Sequence, residues 1–259
     1  MARTIAISNH KGGSGKTTTA VCLSAALAAR GFSVLLVDID AQANASDSLG
    51  APHGSVGTYE ALSRMEAPEP VHVLAPVGKA GALDLLPGSE ALDSLPTTLT
   101  AQGDALRLPA ILKAYADDYD FIVMDTPPAL SVLTLGALLA ADDLVIPMEP
   151  NALEVRGLSK MAGTVQGIAP SRARALRSYV LLVKYDNRKG LHRMVANAIA
   201  TSGATLLQTK VRQCVALAEA PGAAKDIFRY APGSNGAKDY AALAGEYLAI
   251  LGYGKNSKR

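Results

Sequence analysis

The chain has 259 residues, 49% apolar and 19% charged, with a formal net charge of +2. That length and balance suit one large α/β domain or two small ones, with ample core either way. No run of eighteen uncharged apolar residues occurs, which argues against a membrane-spanning helix. Arg3, Lys11 and Lys16 interrupt the first twenty residues, which argues against a secretory signal. Cys22 and Cys214 are too few for a disulfide framework or a four-cysteine metal site, and read as the reduced thiols of a cytosolic protein.

The charge is unevenly spread. Residues 1–150 hold 8 Lys and Arg against 17 Asp and Glu, whereas residues 151–259 hold 17 against 6. Such a split suits a face that meets a polyanion, either nucleic acid or an anionic membrane. A basic half docked on the acidic half of the same or a second subunit would give the same split.

Taken in chain order, the apolar runs predict a strand over Thr4–Ser8 and a helix over Lys16–Arg30. Gly31 stands where a C-terminal cap belongs, with Arg30 at the negative end of the helix dipole. A strand is expected over Ser33–Asp38. Residues 51–87, dotted with Pro and Gly, read as an irregular excursion that ends in a strand at Leu83–Leu86. A helix over Leu106–Ala116, a strand over Phe121–Asp125, a helix over Leu133–Ala140 and a strand over Leu144–Met148 follow. The second half adds helices over Leu153–Gln166, Leu191–Thr201 and Gly236–Leu251, and strands over Tyr179–Val183 and Thr205–Gln208. Apolar strands alternating with helices argue for an α/β fold: a single domain, residues 1–252, whose mostly parallel sheet is covered on both faces. Residues 253–259 are expected to be a flexible basic tail.

The strongest motif is His10-Lys11-Gly12-Gly13-Ser14-Gly15-Lys16-Thr17-Thr18, between the first strand and the first helix. Its glycines let backbone N–H groups turn inward around phosphate oxygens, and the helix adds the positive end of its dipole. Lys16 suits the β- and γ-phosphates, and the Thr17 hydroxyl suits direct ligation of Mg²⁺. The usual phosphate-loop pattern has a glycine where this chain has His10, so the loop is a variant. Lys11 is its informative addition. Set opposite a second subunit, it could reach that subunit's γ-phosphate as an arginine finger does; otherwise it is a solvated lysine.

These residues resemble the ParA/MinD family of deviant-Walker ATPases, within the P-loop NTPases of the SIMIBI type. Val37-Asp38-Ile39-Asp40-Ala41-Gln42-Ala43-Asn44 is similar to the family's D-x-D-P-Q-x-N segment, with Ala41 in place of proline. Phe121 to Pro128 resembles the second switch, and Leu217 to Pro221 and Gly236 to Tyr240 resemble two later signatures. The resemblance implies ATP and Mg²⁺ as cofactors. It implies that Asp40 orients or activates the attacking water, that Asp40 and Asp125 hold Mg²⁺ through water, and that Asp38 supports the switch. Read without the resemblance, Asp38 is equally a turn residue at a strand end.

Within the family, the last helix lacks the basic amphipathic face of membrane-inserting members, and the cysteines do not fit the cluster-carrying ones. The short, Soj-like partition branch fits better. Lys184-Tyr185-Asp186-Asn187-Arg188 is close to its Y-D-x-R, whose arginine binds DNA without sequence preference. Lys184, Arg188, Lys189 and Arg212, with Arg193, are the expected DNA contacts. Gln213 and Ala216 stand where relatives often carry arginines. With the first strand already under way at Arg3, no helix-turn-helix precedes it, which argues against operator binding.

The resemblance thus implies a slow ATPase that dimerises around ATP and binds DNA. A ParB-like or other cargo adaptor would stimulate it to partition a plasmid or chromosome, in the cytoplasm and on the nucleoid, with no membrane partner. Positioning of a protein cargo over the nucleoid, a membrane-recruited MinD-like regulator, and a non-catalytic nucleotide-gated module are the alternatives.

Overall fold

The computed structural model describes residues 1–74, 81–95, 97, 104–201 and 203–253. From the N-terminus, β1 (Arg3–Ile7) leads through the glycine-rich loop into α1 (Lys16–Ala28), then β2 (Val34–Asp38), α2 (Asn44–Leu49) and α3 (Thr58–Arg64). Next come β3 (Val71–Leu74), β4 (Leu83–Leu86), α4 (Arg107–Leu112), β5 (Phe121–Asp125), α5 (Val132–Ala140) and β6 (Asp143–Met148). The remainder is α6 (Ala152–Ile168), β7 (Arg177–Leu182), α7 (Gly190–Thr201), β8 (Thr205–Leu206), α8 (Ala216–Glu219), α9 (Ile227–Tyr230) and α10 (Asn235–Ile250).

The strands form one sheet in the order β3-β4-β2-β5-β1-β6-β7-β8. Every pairing is parallel except β3 with β4, at the edge. The α/β sheet expected from the apolar runs is therefore present. Alternation along each strand divides the core. Ile5, Ile7, Val34 and Leu36 pack toward α1 and α10, where Tyr240 and Tyr247 are buried. Ala6, Leu35 and Val37 pack toward Leu62, Ile111, Leu133 and Met161 of α3, α4, α5 and α6.

The excursion over residues 51–87 is more ordered than its composition suggests, because it contains α3 and the edge strand β3. Gly57 has φ −152° and φ-independent crowding: a Cβ there would lie 2.1 Å from the Pro87 carbonyl oxygen. The expected cap after α1 is present. Gly31 has φ 95° and its N–H donates to Ala28 O at 2.9 Å. Arg30 instead reaches across to Ala241 O of α10 at 2.7 Å.

At the opposite end of the strands from the glycine-rich loop, Asp143 accepts from Arg3, Arg177 and Tyr247, joining β1, β6, β7 and α10. Its two arginines and the Tyr247 hydroxyl outweigh burial and hold its pKa below the usual carboxylate value. Tyr253, at the start of the expected tail, stacks edge-on with Phe32 at 5.3 Å. Residues 254–259 of that tail lie outside the described residues.

Candidate functional site: a phosphate loop beside two strand-end carboxylates

The loop between β1 and α1 sits at the carboxyl ends of the central strands, the usual place for a ligand in a parallel sheet. Gly13 and Gly15 take φ of 71° and 86°, which favour glycine. Nothing lies within 4 Å of the place where a Cβ of Gly12 or Gly13 would stand. That space belongs to an open cleft of about 390 Å³, bordered also by Lys16, Thr17, Asp40 and Lys184. A smaller cleft of about 160 Å³ shares Gly15, Thr18 and Lys184 with it and continues toward Val211 and Leu217. The pair suits an elongated ligand with an anionic end.

Lys16 opens α1, is buried, and donates from Nζ to Lys11 O at 3.2 Å. Burial lowers its pKa, while Asp125, Asp40 and Glu154 favour its charge. Ser14 Oγ is buried without a hydrogen-bond partner. His10, in the position of the usual glycine, has its pKa lowered by burial and by Lys160 and Lys16.

The three aspartates predicted from the motifs converge here. Asp38 and Asp125 end β2 and β5 and are register partners. Asp38 accepts from Ser46 N at 2.9 Å, Ser46 Oγ at 2.7 Å and Asp40 N at 3.2 Å, which ties α2 to the strand end. Burial pushes its pKa up to about 6, with those hydrogen bonds working against the rise. Both Asp125 oxygens are buried and accept no well-formed hydrogen bond. Burial, with Asp38 beside it, raises the Asp125 pKa well above the usual range; the Thr17 hydroxyl and Lys16 offset only part. Asp40 lines the cleft, its Oδ1 accepting from Gln42 N at 3.1 Å.

This arrangement fits a polyphosphate with Mg²⁺. It offers donors and cations for the phosphates, a hydroxyl at Thr17, and in Asp125 an unsatisfied carboxylate nearby. No cluster of three or more His, Cys, Asp or Glu suited to a metal occurs among the described residues. Mg²⁺ held between a loop hydroxyl and phosphates needs no such cage.

The expected DNA contacts fall into two groups. Lys184 has φ 51° and turns toward the loop, with Nζ 2.5 Å from Glu149 Oε1 and 3.3 Å from Gly13 O. Arg212 is held by Asp239, through Nε at 2.9 Å and Nη2 at 2.6 Å. Arg188, Lys189 and Arg193 are exposed around the start of α7, Arg188 pairing with Asp186 at 2.9 Å. No described helix is long and apolar enough to cross a membrane.

Glu154 was not among the residues the motifs singled out. It is in the first turn of α6, capped by Asn151, and its side chain is buried beside Lys11. Asn-x-x-Glu reads in sequence as an ordinary helix start, so only the tertiary contact marks it.

Comparison with known proteins gives concordant findings. A family described as "AAA domain" matches residues 2–177. The chromosome-partitioning ATPase Soj of Thermus thermophilus is 38% identical over 250 residues, 95% of this chain and 96% of the relative. The sporulation initiation inhibitor protein Soj of Bacillus subtilis is 36% identical over 265 residues, 96% and 99% of the two chains. Among solved structures, cobyrinic acid a,c-diamide synthase from Mycobacterium smegmatis, with a bound ATP analogue and magnesium, superposes with a TM-score of 0.81. It is 27% identical, and the match covers 98% of each chain.

Proposed function

The chain belongs to the ParA/MinD family of P-loop ATPases, and from that premise we propose a nucleotide-gated, DNA-binding partition ATPase. ATP and Mg²⁺ are its cofactors, in keeping with the open cradle at Gly12 and Gly13. That cradle, bordered by Lys16, Thr17 and Asp40, with buried Asp38 and Asp125 paired at adjacent strand ends, is the observation that carries the reading.

Each residue has a task in this proposal. The loop N–H groups and Lys16 bind and orient the phosphates, and the Thr17 hydroxyl would ligate the metal. Bound Mg²⁺ would supply positive charge that offsets the phosphates and the nearby carboxylates. Asp125 would help to hold the metal, Asp38 fixes α2 through Ser46, and Asp40 orients the attacking water. Lys11 crosses to the second subunit's phosphates, so two subunits close face to face around ATP. Intrinsic turnover is slow until a ParB-like or other adaptor on the cargo stimulates it.

The dimer then presents Arg188, Lys189 and Arg193 from both subunits as a surface for duplex DNA of any sequence. Lys184 and Arg212, each already paired with a carboxylate, Glu149 and Asp239, flank that surface. The site of action is the cytoplasm, over the nucleoid.

The test is retention of random-sequence duplex DNA at moderate salt with ATP, ADP or no nucleotide. Retention with ATP alone, falling as salt rises, is expected. Equal retention in all three states would overturn nucleotide gating, and no retention in any state would overturn DNA binding.

A further inference from the structure

We infer that Glu154 is a positioning residue that holds Lys11 against its own subunit until an ATP-loaded partner draws it across. The inference rests on the proposal that Lys11 serves the partner's phosphates. Lys11 Nζ lies 3.1 Å from Glu154 Oε1; the carboxylate side chain is 1% exposed and the lysine side chain 48%. The contact is one of charge, since Oε1 accepts no well-aligned hydrogen bond. Such a contact restrains the lysine and still lets it go.

The carboxylate itself cannot follow. Buried Asn9 donates from Nδ2 to Glu154 Oε2 at 3.2 Å and to Pro147 O at 2.8 Å. The other end of the same side chain accepts from Lys11 N at 3.3 Å. Asn9 therefore ties the start of the phosphate loop and the start of α6 into one unit, with the lysine side chain as its movable part. When Lys11 leaves, a buried carboxylate oxygen loses its counter-charge, which opposes departure.

Only a more strongly anionic acceptor offsets that loss. A terminal triphosphate offers more negative charge than a diphosphate, so an ATP dimer overcomes the latch more readily than an ADP dimer, which meets the same penalty with less to offset it. Each dimer releases two latches, and the effect of one is therefore squared in the dimer dissociation constant.

The experiment is sedimentation of the full chain with Mg-ATP or Mg-ADP, for wild type, E154Q, E154D, K11A and K11A/E154Q. A half-exposed ion pair is worth up to about threefold, so two should tighten the E154Q dimer about tenfold in ATP. E154Q should also dimerise measurably in ADP, and its gain should vanish in the K11A background. An E154Q dimer no tighter than wild type while K11A abolishes dimerisation would overturn the latch. So would a gain that persists without Lys11. If K11A dimerises as wild type does, the crossing lysine itself fails, and the functional proposal falls with it. E154D withdraws the carboxylate by one methylene and carries the same test if E154Q does not fold. Acetylation of wild-type, nucleotide-free protein adds a measurement without substitution: Lys11 should react several-fold more slowly than exposed Lys238, and equal rates would overturn the restraint.

Discussion

Asp38 and Asp125 stand side by side as register partners at the ends of β2 and β5, both buried, both with raised pKa. Burial, with repulsion from Asp38 added at Asp125, keeps both carboxylates protonated more readily than in an unfolded chain. Their folded pKa values exceed the unfolded ones. The stability they contribute is therefore full below about pH 4 and is lost as pH rises through about 6 for Asp38 and through the raised pKa of Asp125. At neutral pH this pair opposes folding of the nucleotide-free protein.

Asp125→Asn should consequently raise the melting temperature of nucleotide-free protein at pH 7.5 by roughly 3–6 °C, since no well-formed hydrogen bond is lost. The gain should shrink at pH 5, and ATP hydrolysis should fall sharply. Differential scanning calorimetry at both pH values checks it; a lower melting temperature at pH 7.5 would contradict the repulsion.

Gly12→Ala separates fold from ligand. Its Cβ would meet nothing within 4 Å of the chain, so thermal stability should move by less than about 0.5 kcal/mol. The same methyl would stand in the phosphate cradle. Fluorescent-nucleotide titration should show at least tenfold weaker binding, and unchanged affinity would place the phosphates elsewhere.

Asp40→Ala should leave nucleotide binding within about threefold while reducing phosphate release at least a hundredfold, the loss expected for a water-orienting group. Equal losses in binding and turnover would make Asp40 a binding residue instead.

The basic residues divide by what already holds them. Arg188→Ala should reduce DNA retention at least fivefold with no change in melting temperature, because its side chain is 86% exposed. Arg212→Ala strips the guanidinium from Asp239, a residue 8% exposed, and should cost about 1 kcal/mol of stability. Salt-dependent filter binding and thermal melts on both variants decide the division, and a stability loss confined to Arg188→Ala would reverse it.

Much of this was legible in the sequence, for identifiable reasons. The central strands are apolar on both faces, so β1, β2, β5 and β6 stand out as continuous runs within a residue of their observed limits. The phosphate loop is a local motif whose spacing carries its chemistry. What stayed hidden depends on contacts between distant segments. Helix α2, Asn-Ala-Ser-Asp-Ser-Leu, has no apolar face to betray it and is held by the Asp38–Ser46 bonds. Edge strand β3 lies in a stretch rich in Pro and Gly, where composition points to a loop. Glu154 looks like a helix-start residue until the fold brings Asn9 and Lys11 to it. The commitments of Lys184 and Arg212 were equally invisible, since Glu149 and Asp239 are distant in sequence.

The register of β1 also bears on how the protein emerges from the ribosome. Ile5 pairs with Val123 on one side and Asp143 on the other, so the strand that presents the phosphate loop has no neighbour until β5 has been made and gains its second only with β6, which ends at Met148. Closing contacts over such long separations is slow and costs chain entropy. The nascent chain thus displays the whole nucleotide motif well before it can grip a nucleotide, and ATP can assist its folding only after more than half of the polypeptide has been synthesised.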